Sequence, residues 1–143
     1  MITFCHLQLP SCLMNASGCN SSTHEQLRAL DKTPACSMVV SKSATLLPQR
    51  GNPAPRFFIN KEQCINAMGL PNHGIDYYNH IKLDKLYIQS IYPHTVDDLK
   101  HLLNTTSHMI EVNLSCPNTS LLNNGAFAPL GFKRFDEIGR AHV

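Results

Sequence analysis

Met109-Ile110-Glu111-Val112-Asn113-Leu114-Ser115 runs straight into Cys116-Pro117-Asn118. Ile110, Val112 and Leu114 alternate with Glu111, Asn113 and Ser115, which is the period of two that marks a β-strand. On a solvated edge strand the polar side would simply face water. In a parallel strand covered on both faces it must meet other polar groups or a ligand. The alternation alone leaves both readings open. Cys116 lies just past the strand end, where a cysteine can be a nucleophile, a base or a small buried hydrophobe.

The pattern before this stretch alternates strand and helix. Thr95 opens the clearest helix, with Asp97 and Asp98 in its first turn and Val96, Leu99, Leu102 and Leu103 as its apolar stripe. Leu86 to Ile91 and Cys36 to Val40 read as strands, and Leu9 to Asn15 as a first short strand. Ser22 to Glu25 has the form of a capping box with Ser22 as N-cap, followed by Leu27 and Leu30 and stopped by Pro34. Pro48, Gly51, Pro53 and Pro55 forbid a helix over Leu46 to Arg56 and predict an ordered loop. Cys64 to Met68 reads as extended, and Asn72 to Ile81 as a short helix. Strands separated by helices imply βαβ units and a parallel sheet, compatible with a doubly wound sheet or a (β/α)8 barrel.

Composition narrows the function classes. A formal net charge of +2 does not suit a nucleic-acid partner, which calls for clustered Lys and Arg. No apolar run approaches the ~20 residues of a membrane helix. The six cysteines include no C-x-x-C pair, and with no secretory signal expected they read as reduced thiols. The eight histidines form no zinc signature, and no metal is expected.

Small polar residues cluster at three strand ends: Asn15-Ala16-Ser17-Gly18, Ser41-Lys42-Ser43 and Asn113 to Asn118. Such ends are where α/β proteins place active sites. Lys42, just past an apolar strand, either meets an anion or reaches back to the surface. Gly69, within Asn66 to Asn72, permits close backbone approach, and successive N–H groups in such a turn can grip a carboxylate; a plain turn would also explain it.

Five motifs stand in order: MNASG at Met14 to Gly18, SKSAT at Ser41 to Thr45, GNPAPR at Gly51 to Arg56, NAMGLPN at Asn66 to Asn72 and NLSCPN at Asn113 to Asn118. Together they resemble class 1 dihydroorotate dehydrogenase, the cysteine-base class. NAMGLPN and GNPAPR resemble its fumarate-linked branch. The resemblance covers roughly Leu9 to Asn118.

The resemblance implies an α/β fold, a partial (β/α)8 TIM barrel comprising about its first half, with FMN over the strand ends. It implies flavin contacts from Ala16, Ser17, Gly18, Lys42, Ser43 and Asn113. It implies substrate contacts from Lys42, Asn66, Met68, Gly69, Leu70, Asn113 and Asn118. Cys116 matches the catalytic base, acting with Lys42. The implied reaction is oxidation of dihydroorotate to orotate, a step of pyrimidine biosynthesis. Cys116 would take a proton from C5 while a hydride leaves C6 for the flavin. Fumarate as second acceptor, a homodimer and a cytoplasmic location follow from the same resemblance.

Such a barrel takes ~250 residues, so residues 1–118 are expected to form its N-terminal half. The family's second flavin-facing lysine, Asn-Ser substrate pair and glycine-rich phosphate loop match nothing in the sequence. Residues 119–136 do not resemble the family's active-site loop. Residues 137–143 resemble translated sequencing-adapter read-through. A non-catalytic truncated paralogue, an interaction fragment, and another FMN barrel such as a dihydropyrimidine dehydrogenase are the alternatives.

Overall fold

The structure, a computed structural model, describes residues 1–4, 6–105, 109–114 and 116. It opens with an antiparallel hairpin of β1 (Ile2–Phe4) and β2 (Leu7–Leu9). Pro10 has no N–H to continue the ladder. The expected strand from Leu9 to Asn15 therefore does not form as a unit: β2 ends at Leu9, and Met14 alone makes an isolated parallel bridge to Met38. Asn15 takes over the role of a strand with its side chain. Its Oδ1 accepts from the Val40 N–H at 2.9 Å, and its Nδ2 donates to the Val40 carbonyl at 2.7 Å.

A 3-10 turn at Cys19–Ser21 precedes α1 (His24–Asp31). The capping box is present but one residue later than expected. Thr23 Oγ1 accepts from Gln26 N at 3.2 Å, and Gln26 Oε1 accepts from Thr23 N at 3.1 Å. Ser22 is occupied with the turn instead, its hydroxyl donating to the Gly18 carbonyl.

The chain continues through β3 (Met38–Val40) and the proline-rich loop to β4 (Phe57–Ile59) and β5 (Cys64–Asn66), which pair antiparallel. Only β5 is legible as extended from the sequence. Helix α2 (Ile75–Asn79), strand β6 (Leu86–Ile91), helix α3 (Val96–Leu102) and strand β7 (Met109–Val112) follow. Thr95 caps α3, its hydroxyl accepting from Asp98 N at 3.0 Å. Leu102 is buried, but Val96 and Leu103 are exposed, so the apolar stripe is narrower than expected.

The central sheet is parallel, in the order β3-β6-β7. Alternation along the strands sends their side chains to two different cores. Val39, Tyr87 and Ile91 join Leu27, Tyr78 and Leu102 in a cluster with the helices, against which Ile110 and Val112 pack. Met38, Val40 and Ile88 join Leu9 on the other face, with Leu86 and Met109 beside them. Fully burying each such side chain contributes about 1.5–3 kcal/mol. Tyr78 locks α2 to the start of α1, its hydroxyl donating to the Ser22 carbonyl at 3.0 Å. Burial raises the Tyr78 pKa, so the phenol stays a donor.

Among the described residues, no helix is long and apolar enough to cross a membrane. Cys12, Cys19, Cys36, Cys64 and Cys116 are free thiols.

Candidate functional site

Past Ile88, the strand face that carries Met38, Val40 and Ile88 becomes polar. Ser43 Oγ is the hub. It lies 3.1 Å from Ser17 Oγ and 2.9 Å from Ser90 Oγ, and it accepts from Asn113 Nδ2 at 3.1 Å. Ser90 Oγ in turn donates to Glu111 Oε1 at 2.8 Å. Glu111 and Asn113 on the polar side of the last strand therefore meet polar partners, although β7 is the half-buried edge of the described parallel sheet. Behind this row sits Gln89, fully buried, which donates to Ser41 Oγ and accepts from the Tyr87 hydroxyl at 2.7 Å. Burial pushes the Tyr87 hydroxyl up to about 12.

Beside the row opens a cavity of about 720 Å³, lined by Cys19, Ser22, Lys42, Arg56, Phe57, Asn66, Met68, Gly69, Leu70, Pro71 and Cys116. Lys42, Asn66, Met68 to Leu70 and Cys116 come from widely separated parts of the chain and share this one space. The Lys42 backbone is pinned by its N–H, which donates to the Ser21 carbonyl at 2.8 Å. Its side chain is half-buried. Desolvation lowers its pKa, while the Cys116 and Cys19 thiols oppose that shift. A partly desolvated ammonium facing thiols suits an anion: a thiolate, a carboxylate or both.

The opposite wall is loop backbone. Gly69 and Leu70 both have positive φ, 71° and 56°, and a leucine there is strained. The proline-rich loop holds this conformation. Asn52 N donates to the Met68 carbonyl at 3.0 Å, Asn52 Nδ2 to the Ala67 carbonyl at 2.8 Å, and Ala67 N to the Arg56 carbonyl at 2.9 Å. Asn72 Nδ2 donates to the Leu70 carbonyl at 3.0 Å, and Gln49 and Asn72 exchange backbone bonds in both directions. The carbonyls of this wall are thus turned outward into the loop. Among the described residues, the N–H groups of Met68, Gly69 and Leu70 donate to no other group. Such a row of open donors can hold an anion.

The remaining expected residues lie beside the cavity rather than on its lining. Ser17, Ser43 and Asn113 belong to the hydroxyl row. Gly18 opens the 3-10 turn, and the Ala16 carbonyl accepts from Asn15. Asn118 lies outside the described residues. Arg56, Phe57, Cys19, Ser22 and Pro71 line the cavity without having been singled out. Arg56 had a signal, since it closes the GNPAPR motif; its Nη1 donates to the Arg50 and Asn52 carbonyls at 2.7 and 3.2 Å. Phe57 had none, because nothing in the sequence announced β4. Among the described residues, no group of three or more His, Cys, Asp or Glu could hold a metal ion.

A family profile described as dihydroorotate dehydrogenase matches residues 1–129. A Streptococcus equi protein named as a dihydroorotate dehydrogenase A (fumarate) is 37% identical over 120 residues, covering 76% of this chain and 38% of that protein. A Streptococcus agalactiae protein of the same name is 38% identical over 120 residues, again with 76% and 38% coverage. In fold, the chain is similar to a dihydroorotate dehydrogenase from Eimeria tenella, solved in complex with ferulenol. The TM-score is 0.63 and the identity 23%, over 82% of this chain and 37% of the other. The chain thus spans about two fifths of the length of the curated relatives it matches.

Proposed function

The chain belongs to the dihydroorotate dehydrogenase family, and from that premise we propose that it carries the substrate pocket and part of the flavin platform of an FMN-dependent enzyme oxidising dihydroorotate to orotate. One observation carries this reading: Lys42, the Asn66 to Leu70 backbone and Cys116 converge on a single cavity beside a row of strand-end hydroxyls. In this reading residues 1–118 are about the first half of a (β/α)8 barrel. The Met14 bridge, β3, β6 and β7 stand for its first four strands. Residues 119–136 are a divergent tail, and 137–143 an adapter-like extension.

The donor set fits a flavin. Ser17, Ser43, Lys42 and Asn113 offer small donors along one rim, suited to the carbonyl and imide edge of a flat heterocycle, with Ala16 and Gly18 leaving room beside them. FMN, when bound, supplies the hydride acceptor. The chain's own groups do the rest. The N–H groups of Met68, Gly69 and Leu70, with Asn66, hold the substrate carboxylate. Asn113 and Asn118 bond the pyrimidine. The Cys116 thiolate takes the proton from C5, and Lys42 stabilises negative charge on the thiolate and on the substrate. Desolvation around Lys42 strengthens that attraction.

The remaining properties of this reading rest on kinship with the fumarate-named relatives: fumarate as second electron acceptor, a homodimer, a cytoplasmic location and a place in pyrimidine biosynthesis. The test is rapid-mixing reduction of the intact, FMN-loaded protein by dihydroorotate. Cys116→Ala is expected to slow flavin reduction by a factor on the order of 10²–10⁴, the range of a lost general base. An unchanged rate would remove Cys116 from the chemistry and this reading with it.

A further inference from the structure

The loop that builds the anion grip does not shape itself. Gly69 and Leu70 hold consecutive left-handed conformations, and a left-handed leucine costs on the order of 1 kcal/mol. Something outside the loop must impose the shape. The residue in contact at the decisive point is Asn52. A Cβ built on Gly69 would fall 2.5 Å from both Asn52 N and Asn52 Oδ1. On the other side of the interlock, a Cβ on Gly51 would fall 2.3 Å from the Met68 carbonyl oxygen. The two loops meet backbone to backbone, with a glycine on each to permit the approach.

Asn52 makes the polar bonds of that meeting. Its N–H and its Nδ2 take the Met68 and Ala67 carbonyls, while its own carbonyl accepts from Arg56. It is not among the residues lining the cavity. Those carbonyls are committed to Asn52, while the N–H groups of Met68, Gly69 and Leu70 donate to no other described group and all three residues line the cavity.

We propose that Asn52 is a positioning residue for carboxylate recognition: it sets the aim of the Met68, Gly69 and Leu70 N–H groups from behind, without touching the ligand. This rests on the reading that those groups hold the substrate carboxylate. The side-chain bond is the part that a substitution can remove, since any residue at position 52 keeps its backbone N–H.

The experiment uses the intact, FMN-loaded protein with Asn52→Ala and Asn52→Ser. Dihydroorotate supplies KM and the limiting rate of flavin reduction; orotate and its carboxamide analogue supply dissociation constants. Asn52→Ala is expected to raise the dihydroorotate KM about 10-fold, the worth of one hydrogen bond at the upper end of its net range, and to leave the limiting rate within about 3-fold. The preference for orotate over the carboxamide should fall by the same factor, and Asn52→Ser, which keeps a shorter donor, should recover part of it. Equal losses for both ligands overturn the proposal, as does a loss confined to the limiting rate. Both variants emerging without FMN also overturns it, because Asn52 would then be a folding residue. A parent protein that binds the two ligands equally would refute the carboxylate reading itself, a result separable from failure of the variants.

Discussion

The cavity has two walls held by different physics. The strand-tip wall, with Lys42 and Ser43, rests on β3 and β6, where Met38 to Val40 and Tyr87 to Ile91 are buried without exception. The loop wall, Asn66 to Leu70, is continuous with the β4–β5 hairpin, whose Phe57, Phe58, Ile59 and Ile65 are 54–64% exposed. The first wall is fixed by burial and a parallel ladder. The second is fixed by a few hydrogen bonds and two glycines. Damage to the first should cost stability, and damage to the second should cost ligand binding.

The largest effect should come from the first wall. Leu27→Ala removes a fully buried side chain from the helix-facing core and should cost about 2–5 kcal/mol, read as a lowered denaturation midpoint at constant slope. A change below about 0.5 kcal/mol would contradict the division between the walls. Gln89→Leu comes next. It strips the Tyr87 hydroxyl and Ser41 of a buried partner and should cost about 1–3 kcal/mol.

Gly69→Ala sharpens the contrast from the other side. It places a methyl group against Asn52 at a positive φ, which should displace the loop and cost about 1–3 kcal/mol. Orotate affinity, measured by calorimetry, should fall by far more than the unfolding midpoint suggests. An intact affinity would mean that the loop wall does not form the grip.

The pH dependence separates the walls more gently. Lys42 has a depressed pKa because burial penalises its ammonium, so it loses its proton at lower pH than an ordinary lysine. Anion affinity should therefore weaken as pH rises towards that depressed value. It should be fully present below it, and a bound carboxylate should push the pKa back up. Lys42→Met should weaken binding and flatten that alkaline limb. The smallest effect belongs to the hairpin: Ile59→Thr, at a largely exposed position, should change stability by no more than about 0.5 kcal/mol.

The same contrast explains what the sequence made legible. Burial writes periodic patterns, so β6 appears with its observed bounds and α3 with its observed cap at Thr95. The hairpin is exposed on both faces, and Phe57 to Ile59 carries no alternation to announce a strand. The first strand departs from its periodicity for another reason: Pro10 ends the ladder, and the pairing beyond it is done by the Asn15 carboxamide, which periodicity does not record. The thin apolar stripe of α3 shows the converse limit, since Val96 and Leu103 fit the period but find no core. At the site, the motifs named Lys42, Asn66 to Leu70 and Cys116. Asn52 and Arg56 were visible only as members of a proline-rich loop, because their roles depend on which carbonyls they face: for Asn52 that of Ala67, 15 positions along the chain, and for Arg56 those of Arg50 and Asn52 within the loop itself.

The Asn15 carboxamide has a last consequence. At Val40 it occupies both main-chain groups that would otherwise stand open at the margin of the sheet. An incoming extended segment from another molecule would find that rung already taken. One short side chain thus does at that rung what a neighbouring strand's backbone would otherwise have to do.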